Sequence, residues 1–205
     1  MKIYDLVKCS FVDYPGHIAA VIFTRGCNFN CSEWCHNKHI IPFEGPCNTT
    51  EEKVFAFLKK RAGKLQGVVV TGGEPTVQPD LLDFLRKLRA LKSYDIKLDT
   101  NGYRPDILKQ AIEQKLVDFV AMDIKAPKDK YEKLTKVPYN DKKIQASIDI
   151  IKRSGIPHQF RTTVFKKYLT ETDIQKIKDW IQDDANYITQ ECILRDEHGE
   201  PITDN

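Results

Sequence analysis

Six short apolar runs, rich in β-branched residues, recur along this chain: Ile18 to Phe23, Gly67 to Thr71, Ile96 to Thr100, Val117 to Ile124, Gln159 to Phe165 and Tyr187 to Leu194. Between them lie stretches whose Leu, Ile and Phe residues return every three or four positions: Glu51 to Arg61, Pro79 to Leu91, Pro105 to Gln114, Asp141 to Arg153 and Glu171 to Gln182. Strands that alternate with helices pair in parallel through right-handed crossovers, which leaves an open doubly wound sheet or a curved partial barrel. Six units are too few to close the eight-fold barrel. Helix starts carry capping chemistry at Thr49-Thr50-Glu51-Glu52 and Thr170-Glu171-Thr172-Asp173, Pro79 and Pro105 suit first helical turns, and Gly155 suits a C-terminal stop.

At 205 residues the chain fits a single domain, 1–205, with a core over about 8–195 and a polar tail over 196–205. A domain of this size buries ~70% of its unfolded surface and folds without metal or disulfide staples. The net charge of +3 is spread along the chain rather than blocked. Neither a nucleic-acid surface nor an anionic-membrane surface is expected. No window of ~18 apolar residues occurs, and the first eight residues lack a signal peptide's apolar stretch, so a cytoplasmic protein is expected.

In that compartment clustered cysteines bind metal more often than they cross-link. Cys27, Cys31 and Cys35 fall within the segment that follows the first apolar run; Cys9, Cys47 and Cys192 read as ordinary small hydrophobes. A helical cysteine stripe does not suit the triplet: Gly26, Asn28, Asn30 and Ser32 are poor helix formers, and eight helical residues would part Cys27 from Cys35 by ~12 Å. An irregular loop around a metal centre fits better. Three thiolates plus His36 would suit a structural zinc ion, whereas three thiolates alone on an iron-sulfur cluster leave one iron open to a ligand.

Ligands of parallel α/β folds sit at the carboxyl ends of the strands. Thr71-Gly72-Gly73-Glu74, Thr100-Asn101-Gly102 and Asp123-Ile124-Lys125 all follow or end predicted strands, so they share a rim with the cysteine loop. Gly72 and Gly73 allow a turn or close backbone approach to a ligand, and Glu74 accepts hydrogen bonds. Asp123 and Lys125 point to one side of the sheet by period-two geometry, a costly placement unless they meet each other or a ligand. Arg161 is a further inward-facing charge, and Asn101 suits either a turn or hydrogen bonds to hydroxyls.

Together with Ser10-Phe11-Val12-Asp13-Tyr14-Pro15-Gly16, Cys35-His36-Asn37, Asp99-Thr100-Asn101-Gly102 and Ala121-Met122-Asp123-Ile124-Lys125-Ala126-Pro127, these segments resemble the radical S-adenosylmethionine (SAM) superfamily. Within it they look like the glycyl-radical-enzyme activases, most of all the anaerobic ribonucleoside-triphosphate reductase activating proteins. The resemblance implies a partial (β/α)6 barrel of parallel strands. It implies a 4Fe-4S cluster on Cys27, Cys31 and Cys35, with SAM contacted by Trp34, Cys35, His36, Gly72, Gly73, Glu74, Asn101, Asp123, Lys125 and Arg161. No catalytic residue beyond the cluster and SAM is implied. Reductive cleavage of SAM would give a 5'-deoxyadenosyl radical that forms a glycyl radical on a partner enzyme, with a flavodoxin- or ferredoxin-like protein as electron donor.

The resemblance also marks departures. Three residues separate each pair of cysteines here, where the family has three and then two, and the extra residue falls in Ser32-Glu33-Trp34. One residue adds at most ~3.5 Å of contour, which a loop absorbs as a bulge. No cysteine-rich insertion follows Cys35, Ile193-Leu194-Arg195 begins a final strand, and His198 lies in the tail. Two other readings are a small-molecule enzyme similar to 7-carboxy-7-deazaguanine synthase and a zinc-stabilised non-catalytic module.

Overall fold

The structure is a computed structural model and describes residues 1–193. One sheet contains β1 (Ile3–Ser10), β2 (Ala19–Thr24), β3 (Gly67–Gly72), β4 (Asp95–Thr100), β5 (Phe119–Asp123), β6 (His158–Val164) and β7 (Tyr187–Glu191), in the spatial order β1 to β7. Every neighbouring pair from β2 onward is parallel, while β1 runs antiparallel to β2. The helices are α1 (Glu51–Arg61), α2 (Leu81–Ala90), α3 (Pro105–Glu113), α4 (Tyr131–Thr135), α5 (Asp141–Ser154) and α6 (Glu171–Ile181). Each crossover advances one strand in the same direction, so same-handed connections lay the helices along one face and leave the other as the inside of an open partial barrel.

Residue alternation assigns the two faces. Ala20, Ile22, Val68, Val70, Ile96, Leu98, Val120, Met122 and Phe160 pack outward with helix residues such as Leu58, Phe84, Leu108 and Ile148. The inner row begins with Val21 and Val69, packed against Tyr14 and Phe119. Register then places Lys97 beside Val69, Asp99 beside Ala121, and Asp123 beside Arg161. Truncating a fully buried outward residue such as Leu98 to Ala would cost about 2–5 kcal/mol.

Thr50 caps α1 by accepting from Lys53 N at 3.4 Å, and Thr170 with Asp173 forms a capping box on α6. Pro105 occupies the first turn of α3 and Gly155 ends α5 at φ +69°. Pro79 precedes its helix instead of entering it, because Asp80 takes the N-cap position and α2 starts at Leu81.

Two elements go beyond the sequence reading. Edge strand β1 has Lys8 and Cys9 exposed and lacks clean alternation. Helix α4 is only five residues long, too short to show a helical period. The expected strand end at Leu194, Arg195 and the tail 196–205 with His198 lie outside the described residues. Among the described residues no helix is long and apolar enough to cross a membrane.

Candidate functional site

The chain leaves β2 through Arg25 and Gly26, the latter at φ +96° with its open side filled by the Phe43 ring. Gly26 N donates to Ile40 O at 2.8 Å and Cys27 N to Ile41 O at 2.9 Å, so the cysteine segment is braced from behind. From Cys27 to Cys31 the backbone is irregular. From Cys31 to Cys35 it makes one helical turn, Cys35 N donating to Cys31 O at 2.9 Å. The residue that exceeds the family spacing is thus wound into a hydrogen-bonded turn and not extruded as a bulge. Trp34 is buried and its indole donates to Leu134 O at 3.2 Å. Glu33 bonds Lys136 Nζ at 2.8 Å and the Tyr168 hydroxyl.

All six cysteines are free. Burial pushes the Cys27 thiol up to about 12, aided by Glu74, and the Cys31 thiol up to about 11, with Lys125 opposing in both cases. Metal ligation requires thiolates, and a bound cation would offset the desolvation that opposes them here. Three soft sulfur donors with Lys125 nearby suit an iron-sulfur cluster. Among the described residues no three His, Cys, Asp or Glu side chains converge on a position for a single metal ion. His36 is exposed, its Nε2 4.0 Å from Cys192 Sγ, which also approaches Trp34 O at 3.5 Å. Cys192 therefore adjoins the third cysteine, while Cys9 and Cys47 are exposed and are not core hydrophobes.

Gly72 and Gly73 serve the chain itself. A Cβ at Gly72 would lie 2.2 Å from Thr24 N, and one at Gly73 would lie 2.2 Å from Gly26 O. That contact lets Gly73 N donate to Thr24 O at 2.9 Å and Glu74 N to Gly26 O at 2.8 Å, clamping the entry to the cysteine segment. The close approach seen here is thus to backbone.

Glu74 is almost wholly buried, and burial raises its pKa against the pull of its hydrogen bonds. Its Oε1 accepts from Thr76 N at 3.0 Å, the Thr76 hydroxyl and the Thr100 hydroxyl at 2.7 Å; Oε2 accepts from Asn101 N at 2.6 Å. Oε2 retains one acceptor position. Asn101 is buried in an Asx turn, its Oδ1 accepting from Tyr103 N at 3.0 Å, and its Nδ2 donates to Asn28 Oδ1 at 2.8 Å.

Across the cavity runs a chain of alternating charge. Lys125 Nζ meets Asp123 Oδ2 at 2.9 Å, and Arg161 Nε meets Asp123 Oδ1 at 2.9 Å. Arg161 also reaches Asp99 Oδ2 at 3.2 Å, and Lys97 Nζ reaches Asp99 Oδ1 at 2.5 Å. For Asp123, burial would raise the pKa, but Arg161 and Lys125 outweigh it and hold the carboxyl well below its usual range. Burial disfavours both cations, yet Asp123 keeps Lys125 and Arg161 above their usual values. Lys97 was not singled out by the sequence and Asp99 entered only as the head of its motif, although their alternation with Ile96 and Leu98 is the signal that carries both inward.

Every site residue expected from the sequence lines one cavity of about 290 Å³, together with Asp13, Asp99 and Gln190. Cys27, Cys31 and Cys35 share it with Asp123, Lys125 and Arg161.

The family model described as "Radical SAM superfamily" matches residues 21–181. A protein of Methanocaldococcus jannaschii, provisionally named a glycyl-radical enzyme activating enzyme, is 33% identical over 202 residues, covering 95% of this chain and 81% of its own. A 7-carboxy-7-deazaguanine synthase of Koribacter versatilis is 36% identical over 116 residues, 56% of this chain and 46% of that one. The crystal structure of Streptococcus suis SuiB bound to S-adenosylmethionine superposes with a TM-score of 0.67 at 15% identity, over 90% of this chain and 43% of SuiB. The chain thus spans most of the first protein and under half of the other two.

Proposed function

The chain belongs to the radical SAM superfamily, and we propose that it is an activase: it cleaves SAM reductively to install a glycyl radical on a partner enzyme. The observation that carries this reading is the meeting, in one cavity, of three free thiols with the Asp123, Lys125 and Arg161 network. A 4Fe-4S cluster held by Cys27, Cys31 and Cys35 would supply the electron that cleaves SAM to methionine and a 5'-deoxyadenosyl radical, which would take hydrogen from a glycine of the partner and leave as 5'-deoxyadenosine.

The protein's own part is binding and orientation. Cys27, Cys31 and Cys35 hold the cluster. Lys125 meets the SAM carboxylate, while Asp123 and the free acceptor position of Glu74 Oε2 meet its ammonium. Arg161 keeps Asp123 ionised for that task. Trp34, whose ring lies 5.7 Å from Lys125 Nζ, and His36 flank the adenosyl group on the third-cysteine side. Gly72, Gly73 and Asn101 act from behind, by holding the first cysteine in place.

A volume of about 290 Å³ lies at the lower limit of small-molecule pockets, ~300–1,000 Å³. A backbone glycine brings no side chain into this space. The likeness to an activating enzyme over 95% of the chain supports the same choice. The part-length likeness to 7-carboxy-7-deazaguanine synthase favours the second reading, a small-molecule substrate. The electron comes from a flavodoxin- or ferredoxin-like donor.

The test is anaerobic reconstitution with iron and sulfide, reduction, and assay for 5'-deoxyadenosine, followed by mixing with glycyl-radical enzymes encoded in the same genome. A glycyl doublet in the electron paramagnetic resonance spectrum is expected. Product formed only when a purine-like small molecule is added would replace the activase reading with the second one, and zinc without iron after anaerobic isolation would overturn both.

A further inference from the structure

One buried donor near the first cysteine has no acceptor. Asn28 Nδ2 is buried and makes no hydrogen bond among the described residues. An orphaned amide of this kind costs about 1–3 kcal/mol unless something absent from the protein accepts from it.

The neighbouring bonds fix which end of Asn28 is the donor. Tyr103 N donates to Asn101 at 3.0 Å, so the Asn101 atom that receives it is the carbonyl oxygen. The other end of Asn101, an NH2, then faces Asn28 at 2.8 Å and requires an oxygen there. Asn28 has its Oδ1 committed and cannot be turned over to satisfy its Nδ2.

The same pair borders Cys27. Phe29 N lies 3.4 Å from Cys27 Sγ, and Asn101 Nδ2 lies 4.0 Å from it. Two N–H donors therefore already lie against the Cys27 sulfur, one of them on the Asn101 amide that holds Asn28, and the Glu74 clamp braces the backbone from which Cys27 and Asn28 extend.

We propose that Asn28 and Asn101 form an amide pair that tunes the metal centre: Asn28 Nδ2 donates to sulfur of the cluster at the Cys27 corner, and Asn101 locks Asn28 in the donating orientation. The inference rests on reading the triplet as a cluster site. Hydrogen bonds to cluster and thiolate sulfur offset the negative charge gained on reduction, so they raise the reduction potential. Asn28 is thus a positioning and tuning residue, with no contact to the reacting carbon required.

The experiment is a redox titration of the reconstituted protein without SAM, read by electron paramagnetic resonance of the reduced cluster, for wild type, Asn28→Leu and Asn28→Asp. Asn28→Leu removes the donor without adding charge; Asn28→Asp keeps the acceptor for Asn101 and replaces the donor with a carboxylate oxygen. The reduction equilibrium should fall about tenfold in Asn28→Leu, which for one electron is about 59 mV, and further in Asn28→Asp. A purely structural role would lower iron content or thermal stability but leave the midpoint of the loaded fraction unmoved, and equal midpoints in all three proteins overturn the proposal. A wild type that takes up no iron and sulfide would overturn the cluster reading and this inference with it, whereas a loaded wild type with unmoved variants overturns this inference alone.

Discussion

Replacing Asp123 by Asn should destabilise the protein more than removing either cation beside it. Asp123 is shared between Lys125 Nζ and Arg161 Nε, each at 2.9 Å, whereas Arg161 has a second anion in Asp99 at 3.2 Å. Loss of the carboxylate strands Lys125 and leaves Arg161 with Asp99 alone, whereas loss of Lys125 leaves Asp123 still paired with Arg161. Breaking a buried ion pair by removing one partner costs about 3–5 kcal/mol. Some 19% of the Lys125 side chain remains exposed, so water recovers part of its share, and about 3 kcal/mol is expected for Asp123→Asn. Lys125→Met should cost about 1 kcal/mol, since its methylenes are replaced and Asp123 keeps one cation. The double variant should cost less than the sum, with a coupling of about 1–2 kcal/mol. Urea unfolding with a slope of ~2 kcal/mol/M would move the Asp123→Asn midpoint down by about 1.5 M. Additivity within ~0.5 kcal/mol, or a larger loss from Lys125→Met than from Asp123→Asn, would refute the shared-anion argument.

Gly73→Ala should push Gly26 away, costing about 1–3 kcal/mol as overpacking and sharply lowering iron per chain after reconstitution; normal loading would show that the Glu74 clamp is dispensable. Deleting Ser32 restores the family spacing but destroys the Cys35 N to Cys31 O bond, so cluster content should fall, and a rise would mark the native turn as a defect. Burial opposes ionisation of Asp173, but bonds from Lys130 and Thr170 prevail and hold the carboxyl at about 2. Its contribution, about 1–2 kcal/mol, is present above the unfolded value of 3.8 and is lost as pH falls through about 2. Thermal unfolding of Asp173→Asn should accordingly lose its difference from wild type between pH 5 and pH 2, and a constant difference would remove Asp173 from the account.

The strands that carry the site were legible because buried parallel strands announce themselves as unbroken apolar runs, and the loops after them hold the polar motifs. Edge strand β1 was not, since an element covered on one side needs no such run. The inward placement of Lys97 and Asp99 was hidden for a related reason: charge alternating with Ile96 and Leu98 reads as a solvent face, and only curvature of the sheet turns that face into an interior. The cysteine residues named the chemistry, but the turn between Cys31 and Cys35 depends on contacts to residues far away in sequence. Likewise Gly72 and Gly73 signalled close approach without saying to what. The partner in that approach, Gly26, is 47 positions earlier than Gly73, and no local pattern encodes such a distance.

The fastening of Glu33 to Lys136 and Tyr168, 103 and 135 residues further along, ties the cysteine turn to parts of the chain that are made much later. A ribosome-bound chain displays Cys27, Cys31 and Cys35 early, but the braces of their turn appear only after α4 and the segment beyond β6 have emerged. Iron and sulfide delivered before then meet three loose thiols, and those delivered afterwards meet a shaped receptacle. On the cluster reading, insertion would accordingly belong to the end of synthesis, and a nascent chain halted before Tyr168 would be a scavenger of metal without being a host for it.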